Sequence, residues 1–408
     1  MKIKFCRICK GENMTDYLNL GEMAPADSFV NSSSKDTQSY FPLEVCLCDS
    51  CGMSQLNYTV PPDILYQNEY PYESSITETG RRHFHNMANE VVSEVNLKKN
   101  DLVLDIGSNV GVLLQGFANK ECEVLGIEPA ENIAKKANVS GINTINDFVS
   151  QNLAKSIVED YGKAEAICIT NVFAHIHDLH DLMASIDLML SKEGSFIIEA
   201  PHFLSLVENL EYDTIYHEHL LYITIKPLSK LFTKFGFVIN DVKKVQIHGG
   251  SVRIYISRVG TRSVSSNVQS IIDDEVSAGL FDKKRLNEFK VKVEEHRKSL
   301  RDLILSLHKR GCRIAAVSAP AKGMTLLNYC GLDNKIIDFV TEKSLLKIGK
   351  FTPGGLIPVF SDEYLLEKMP DYALLLAWNF KKEIIQNLKK YTDSGGKFII
   401  PIPTPVLD

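Results

Sequence analysis

Residues 215–222 read IYHEHLLY and place Tyr216, His217, Glu218 and His219 between apolar neighbours. Histidine exchanges a proton near neutral pH, and a phenol or carboxyl group beside it can orient it or share that proton. The same residues could bind a metal ion, but the HExxH spacing of zinc proteases is absent and no third well-spaced ligand lies nearby. We therefore favour an acid–base loop over a metal site or a plain polar loop edge, with His217 pointing away because it alternates with Glu218.

A second group of reactive residues lies near the N-terminus, where five of the nine cysteines fall within the first 51 residues. CRIC at 6–9 and CDSC at 48–51 are two CxxC pairs, and two such turns can complete a tetrahedral sulfur site for Zn²⁺. Cys46 is expected on a strand, as a small buried hydrophobic residue. The spacing predicts a structural zinc site with ligands Cys6, Cys9, Cys48 and Cys51.

The chain that positions these groups has 408 residues, enough for two or three domains. Its formal charge of −6 argues against nucleic-acid binding, which usually needs a basic stripe. No apolar run approaches the roughly 18 residues of a membrane span, and the N-terminus lacks the apolar stretch of a signal peptide. With an odd number of cysteines, these features predict a cytoplasmic protein with neither a membrane nor a nucleic-acid partner.

Alternating helix and strand patterns begin near residue 75 and predict a parallel sheet with helices on both faces. DLVLDIGSNVGVLLQGF reads as a strand, a glycine turn and a helix, and EVLGIEPA reads as the next strand. The turn, DIGSNVG at 105–111, has neither the GxGxxG of dinucleotide folds nor the lysine of a P-loop. It resembles the motif of class I S-adenosylmethionine (SAM) methyltransferases.

This resemblance assigns the cofactor contacts. The glycines would let the backbone approach the methionine part of SAM, and Glu128 would accept both ribose hydroxyls from the end of the next strand. Asp147 and Phe148 follow the third predicted strand, where contacts with the edge and face of adenine are expected. The predicted cofactor-binding residues are Asp105, Gly107, Asn109, Gly111, Glu128, Asp147, Phe148 and Asn171.

Over essentially its whole length the sequence resembles a family of SAM-dependent C-methyltransferases that act on nucleotide-linked 4-keto-deoxysugars. The shared motifs follow one another along the chain: PLEVCLCDSCGMSQL, YPYESSIT, LDIGSNVG, GIEPA, TNVFAHIHD, IEAPH, YHEHLLY, HGGSVR, SAPAKGMTLLNY and IGKFTPGGLIPV. Val110 stands where the family more often has aspartate. The segment expected to line the nucleotide-sugar pocket departs from the usual family residues at Val317, Ser318 and Met324. The nucleoside of the substrate can therefore be either thymidine or guanosine.

The family resemblance implies an α/β protein of three domains. These are a zinc-binding domain at 1–68, a SAM-binding Rossmann-like domain at 69–260, and a second Rossmann-like domain with leading helices at 261–408. It further implies that His219 removes the C3 proton of a 4-keto-6-deoxy sugar, giving an enolate that takes the methyl group of SAM.

The resemblance also assigns supporting roles around His219. Tyr216 and Glu218 would contact the sugar oxygens, His175 would lie at the carboxyl edge of the sheet, and Tyr72 would close the pocket, with Tyr70 as its alternative. The nucleotide diphosphate would lie near Lys322 at the start of a helix, with His248 and Ser251 approaching it.

Two other functions fit the same residues. An O- or N-methyltransferase would use the pocket with its base acting on a hydroxyl or amine. A zinc-dependent binding module would keep the fold without catalysis, although the intact motif glycines argue against it. The oligomeric state stays open, with a monomer possible.

Overall fold

The computed structural model describes residues 1–65 and 70–408, except the side chains of residues 35, 36 and 63. The expected boundary at residue 68 lies outside the described residues. The N-terminal unit is a small antiparallel sheet, and its second CxxC pair forms the turn between two strands. Its elements are β1 Met14–Met23, β2 Phe41–Cys48, β3 Ser54–Leu56 and α1 Pro62–Leu65.

The middle unit is a seven-stranded sheet with helices on both faces, in the order β10-β11-β8-β7-β4-β5-β6. Strands β4 to β8 run parallel, and the antiparallel pair β10 and β11 extends one edge. The predicted SAM-methyltransferase architecture is thereby confirmed. Its elements are α2 Glu78–Val95, β4 Leu102–Ile106, α3 Val112–Ala118, β5 Glu123–Ile127, α4 Glu131–Val139, β6 Thr144–Ile145, α5 Gln151–Tyr161, β7 Ala164–Thr170, α6 Leu179–Met189, β8 Leu190–Pro201, α7 Phe203–Glu208, β9 Leu221–Tyr222, α8 Ile225–Lys234, β10 Phe237–Val245 and β11 Ser251–Arg258.

The middle sheet has a core on each face, because successive side chains of a strand point to opposite sides. In β4, Leu104 joins the core that contains α6, whereas Val103 joins the core that contains α2. The uninterrupted apolar runs of β4 and β7 match strands that are covered on both faces.

Strand β9 lies within the middle unit in sequence but does not pair with the middle sheet. It pairs with β3 as the fourth strand of the N-terminal sheet, with Leu221 opposite Gln55 and Tyr222 opposite Ser54. Because β9 is the end of the IYHEHLLY stretch, the zinc-binding unit and the middle unit hold this loop between them.

The C-terminal unit is a sheet in the order β14-β13-β12-β15-β16-β17, with only β17 antiparallel. This is the Rossmann order, as predicted. Its elements, with the two preceding helices, are α9 Ser266–Ser277, α10 Lys283–Lys309, β12 Ile314–Val317, α11 Ala321–Cys330, β13 Val340–Thr341, β14 Val359–Phe360, α12 Asp362–Lys368, β15 Tyr372–Leu375, α13 Lys381–Asn387, α14 Lys389–Asp393, β16 Lys397–Ile400 and β17 Val406–Leu407. The strand expected over IIDFV is formed only at its last residue, since Ile336 and Ile337 bond back to the carbonyl of Asp333 in a turn.

Helix α9, expected to lead the C-terminal domain, packs on the middle unit. Val268 and Ile271 join the core of the middle sheet. The buried Glu275 carboxylate accepts the backbone N–H of Ile225 at 2.6 Å and lies 3.0 Å from His202 Nε2. By packing, the middle unit therefore extends past the expected boundary at residue 260.

In the described ranges, no helix combines the length and the apolar character that crossing a membrane requires.

Candidate active site

The two CxxC pairs meet at one end of the N-terminal sheet. The sulfur atoms of Cys6, Cys9, Cys48 and Cys51 all lie within 4.8 Å of one another. This spacing fits a tetrahedral Zn²⁺ with Zn–S bonds of about 2.3 Å. Cys46 lies on β2, where burial raises its pKa to about 12, so it stays a neutral thiol. The predicted ligand set is thus brought together, and Cys46 is left out of it.

Two glycines allow the turn after β4 to approach the end of the sheet. Gly107 has a φ of +72°, and a Cβ there would lie 2.6 Å from Val172. Gly111 has a φ of +81°, and a Cβ there would lie 2.8 Å from Ile142. Both the left-handed backbone and the short contacts require a residue without a side chain.

Glu128 follows β5 and faces this turn. Its Oε2 accepts the backbone N–H of Asn109 at 3.0 Å, and its Oε1 accepts that of Ala130 at 2.9 Å. A carboxylate has about four acceptor positions, so these two bonds leave room for two hydroxyl donors. Asp105 lies nearby on β4, and burial raises the pKa of its carboxyl well above the usual value, with the charge of Glu128 adding to the effect.

The side chain of Asn109 holds the segment that carries Tyr72. Its Oδ1 accepts the N–H of Ser74 at 2.9 Å, and its Nδ2 donates to the carbonyl of Tyr72 at 3.2 Å. Asn109 thus positions Tyr72 beside the glycine turn, and its side chain is already engaged rather than open to a cofactor. The alternative, Tyr70, has its backbone tied to Asn132 on α4.

The other predicted cofactor residues follow parallel strands of the middle sheet. Asp147 and Phe148 come after β6, and the Phe148 ring is 52% exposed. Asn171 comes after β7, and its N–H donates to the carbonyl of Glu199 at 2.7 Å. Its buried Oδ1 finds no hydrogen-bond partner in the described part of the chain. All three lie at the sheet edge where ligands bind in open α/β folds.

His219 is held in one orientation by two hydrogen bonds. Its Nδ1 lies 2.7 Å from the carbonyl oxygen of Thr214, and since a carbonyl only accepts, Nδ1 carries the hydrogen. Its Nε2 therefore has a lone pair and accepts the phenol O–H of Tyr216 at 2.8 Å. Burial lowers the pKa of His219 to about 4, so the ring is neutral near pH 7.

The two residues between Tyr216 and His219 are both buried. His217 is buried, and its Nε2 donates to the carbonyl of Phe41 in the N-terminal unit at 3.2 Å. The prediction that His217 points away from His219 is confirmed. Glu218 is 2% exposed, and burial raises the pKa of its carboxyl well above the usual range. The charge of Asp27 raises this pKa further, and that of Lys347 opposes the shift.

Two further histidines lie near His219. The ring of His175, after β7, has its centroid 5.1 Å from that of His219. Burial lowers the pKa of His175 well below the usual value, and His219 contributes to the shift. His248 packs edge-on against Phe380, and burial lowers its pKa to about 4, with the charge of Lys322 as the next cause. All three imidazoles are therefore neutral near pH 7.

Lys322 begins α11 and reaches across the crevice between β12 and β15. Its ammonium donates to the side chain of Asn379 and lies 3.9 Å from the ring centroid of Trp378. Burial lowers the pKa of Lys322 to about 8, while the carboxylates of Asp213 and Glu211 oppose the shift. Asp213 lies shortly before the IYHEHLLY loop and accepts the Trp378 N–H at 2.7 Å. Lys322 therefore lies where the C-terminal sheet meets that loop.

Ser251, also predicted at the nucleotide, is engaged within the fold. It begins β11, and its buried hydroxyl donates to the carbonyl of Ile247 at 3.1 Å. The neighbouring Gly250 packs so tightly that a Cβ there would lie 2.4 Å from the hydroxyl of Ser205. The placement of Ser251 gives no support to a ligand contact.

Glu342 is a residue that the sequence patterns did not single out. It follows β13 in the C-terminal sheet as Glu128 follows β5 in the middle sheet. Its carboxylate accepts the N–H of Ala319, in the turn after β12, at 2.8 Å and that of Ser344 at 3.1 Å. An acidic residue after the second strand of a Rossmann-like unit is the signal that could have revealed it.

Known families match the three units in order. Residues 6–66 match a zinc binding domain, residues 81–242 a methyltransferase domain, and residues 246–403 a C-methyltransferase C-terminal domain. The chain is also 33% identical to the C-methyltransferase NovU of Streptomyces niveus over 402 residues, which covers 98% of this chain and 96% of that protein. The likeness spans all three units and therefore the whole candidate site.

Solved structures resemble only part of the chain. The SAM-bound magnesium protoporphyrin IX methyltransferase of Synechocystis is 16% identical, with a TM-score of 0.32 over 44% of this chain and 79% of that one. The plantazolicin methyltransferase BpumL in complex with S-adenosylhomocysteine is 17% identical, with a TM-score of 0.36 over 44% of this chain and 86% of that one. At these scores the fold assignment rests on the sheet topology and the family matches.

Proposed function

This chain belongs to the family of SAM-dependent C-methyltransferases with an N-terminal zinc-binding domain, and from that premise we propose that it methylates C3 of a nucleotide-diphosphate 4-keto-6-deoxy sugar. The observation that carries the proposal is the neutral His219, whose basic Nε2 faces the phenol of Tyr216. A C4 ketone acidifies the hydrogen on C3, so a base of this kind can form an enolate. SAM, when bound, would supply an electrophilic methyl group for the enolate carbon, and the broken S–CH3 bond would leave S-adenosylhomocysteine.

In the proposed reaction, His219 takes the C3 proton on Nε2, the nitrogen that its bond to Thr214 leaves unprotonated. The imidazolium that forms keeps the hydrogen bond from Nδ1 to the Thr214 carbonyl, whose partial negative charge stabilises it. The Tyr216 phenol now donates to Nε2 and turns to the sugar oxygens when the substrate binds, since catalytic hydrogen bonds rearrange on binding.

The negative charge of the enolate develops on the C4 oxygen, which needs hydrogen-bond donors. Burial raises the pKa of the Glu218 carboxyl, which favours the protonated form that can donate. The Tyr216 phenol can donate from the same loop. His175 lies against His219 and helps to fix its ring. Tyr72, held beside the glycine turn by Asn109, would cover the pocket and exclude water.

We place SAM at the carboxyl edge of the middle sheet. Glu128 has two acceptor positions left for the two ribose hydroxyls, and the exposed Phe148 ring can stack on adenine. Asn109 takes part through its backbone, because its side chain holds the Tyr72 segment. The proposed contacts are Asp105, Gly107, Gly111, Glu128, Asp147, Phe148 and Asn171.

We expect Glu128→Gln to weaken SAM binding about tenfold in calorimetry, because the amide loses acceptor capacity for a ribose hydroxyl and one charge-assisted hydrogen bond contributes roughly 1.5 kcal/mol. The matched control is Glu342→Gln, the equivalent change in the C-terminal sheet, which should leave SAM affinity unchanged. Equal affinities for both variants and the wild type would overturn the ribose assignment.

We place the nucleotide diphosphate in the crevice between β12 and β15 of the C-terminal sheet. Lys322 lies in this crevice beside Trp378, and His248 approaches it from the middle unit. Glu342 would accept a hydroxyl of the nucleoside sugar at the edge of the same crevice, as Glu128 would in the middle sheet. Asp213 bonds to Trp378 beside this crevice and lies close in sequence to the loop that carries His219. A hexose attached to the diphosphate would therefore reach His219.

Hydrogen exchange at C3 tests the proposed reaction. Enzyme, a 4-keto nucleotide sugar and S-adenosylhomocysteine are incubated in deuterated water, and deuterium at C3 is followed by NMR. We expect incorporation with the wild type and almost none with His219→Gln. With SAM present, the methyl group should appear on carbon. A methyl group on oxygen or nitrogen, without exchange at C3, would establish an O- or N-methyltransferase instead.

A further inference from the structure

Residues 70–76, which we call the strap, cross the carboxyl end of the middle sheet and are held there by two asparagine side chains. The first is Asn132, in the first turn of α4. Its Nδ2 donates to the carbonyl of Tyr70 at 3.1 Å, and its Oδ1 accepts the N–H of the same residue at 3.3 Å. The side-chain amide thus forms a donor–acceptor pair with the strap backbone, as a peptide group of a neighbouring strand would.

The second attachment is Asn109 in the glycine turn, whose amide pairs with the backbone of Ser74 at 2.9 Å and of Tyr72 at 3.2 Å. Glu128 lies between the two attachments. Its carboxylate accepts the N–H of Asn109 at 3.0 Å on one side and that of Ala130, just before α4, at 2.9 Å on the other. The strap therefore runs past the carboxylate that we assign to the ribose of SAM.

Two other contacts hold the strap. Glu73 forms an ion pair with Lys136, further along α4, whose side chain is 46% exposed. The hydroxyl of Ser344 in the C-terminal unit donates to the carbonyl of Pro71 at 3.4 Å. Exposed ion pairs contribute little to stability, and the bond from Ser344 is long. We therefore attribute the attachment of the strap mainly to the two asparagine amides.

We propose that Asn132 and Asn109 are positioning residues that hold the strap closed over SAM, so that the cofactor enters and its product leaves only when the strap opens. This inference rests on the proposed function for the position of SAM beside Glu128. A closed strap excludes water from the site of methyl transfer and retains the bound cofactor. Binding through a sparsely populated open state is slow, because only the open fraction of the protein can take up the ligand.

Asn132→Ala removes one attachment and leaves every residue assigned to SAM or to the sugar in place. The lost bonds join protein to protein, so their loss favours the open strap equally in the free and the SAM-bound protein. We expect the association and dissociation rates of SAM each to rise about tenfold, as for the loss of two neutral hydrogen bonds. The dissociation constant should stay within about twofold of the wild type, since a ligand with equal preference for two states shifts neither.

Rapid mixing with radiolabelled SAM gives the association rate, and a chase with unlabelled SAM gives the dissociation rate. A residue that only shapes the pocket would change the dissociation rate and the dissociation constant together. An Asn132→Ala variant in which dissociation alone becomes faster, or in which neither rate changes, would overturn the proposal.

The matched control is Asn138→Ala on the same helix. Asn138 donates to the carbonyl of Thr144 at 2.8 Å and accepts its N–H at 3.0 Å, so it forms an equivalent pair with β6 instead of the strap. We expect a lower Tm but SAM rates within about twofold of the wild type, because the lost bonds are independent of the strap. Equal acceleration in both variants would trace the effect to a loosened α4 and contradict the proposed role of Asn132.

Hydrogen exchange of the strap amides, followed by mass spectrometry, reports its opening without any sugar. The N–H of Ser74 donates to Asn109 and stays bonded to it in Asn132→Ala. If the strap opens as a unit, this amide should exchange about tenfold faster in Asn132→Ala and at the wild-type rate in Asn138→Ala. Faster exchange confined to Tyr70 would mean local fraying and would count against the proposal. If the strap behaves as expected but no 4-keto sugar is methylated, the strap assignment stands and the proposed function fails.

Discussion

Replacing His219 by glutamine should lower kcat for methyl transfer about a thousandfold and leave SAM affinity almost unchanged. General bases contribute roughly 10²- to 10⁴-fold, and glutamine can bond to Thr214 and Tyr216 without accepting a proton from carbon. Methyl transfer is measured by mass spectrometry of the nucleotide sugar and SAM affinity by calorimetry.

The control for this variant is His217→Gln, two residues earlier on the same loop. The glutamine amide can still donate to the carbonyl of Phe41, so the loop should keep its shape and kcat should stay within about threefold of the wild type. In the wild type, His219 is neutral above its pKa of about 4. The acid limb of kcat/KM should therefore lie near that pH and be lost in His219→Gln. A His219→Gln variant with wild-type turnover would remove His219 from the role of base.

Loss of zinc should abolish activity as well as unfold the N-terminal unit, although the four cysteines lie outside the sugar and SAM pockets. The reason is the pairing of β3 with β9, because β9 continues directly from the catalytic loop. The bond from His217 to Phe41 ties the loop to the same unit. A structural zinc site contributes on the order of 10 kcal/mol to folding, so this anchor would be lost with the metal.

Cys48→Ser tests this coupling, with zinc content, thermal unfolding and kcat measured on the same preparation. We expect substoichiometric zinc, a lower Tm and kcat reduced at least a hundredfold, which is the scale of a misplaced catalytic group. Cys46→Ser is the matched control on the same strand and should keep full zinc, because its thiol lies outside the ligand set. A Cys48→Ser protein that lacks zinc yet turns over normally would show that the loop does not depend on the N-terminal sheet.

The middle sheet could be predicted from the sequence because its strands are apolar runs bounded by turn residues. AEAICIT became β7 over the expected residues, and the glycine turn followed β4 as expected. The pairing of β9 with β3 could not be predicted, since a strand of two residues has no detectable periodicity. The packing of α9 on the middle unit could not be predicted for a related reason: the sequence shows that the helix has an apolar face, but it does not show which sheet covers that face.

Within the candidate site, the residue types were enough to propose His219 as the base with the phenol of Tyr216 beside it. Tertiary contacts, however, determine what each polar side chain does. Asn109 lies in a cofactor motif, yet its side chain holds Tyr72 and Ser74. The ion pair between Asp27 and Lys347 joins positions that are far apart in the sequence, and neither belongs to a motif that would draw attention to it. Such contacts depend on how the three units dock, which local patterns do not encode.

The shared β9 strand has a consequence for how the chain is made. The N-terminal residues leave the ribosome first, and after β3 has formed, one side of it offers unpaired backbone N–H and C=O groups. An open edge of this kind can pair with another chain until it is covered. Here the covering residues, Leu221 and Tyr222, are synthesised only after most of the middle sheet. The nascent zinc-binding sheet is thus completed by the segment that also completes the catalytic loop, so the ordering of the reactive residues is tied to the completion of the N-terminal sheet.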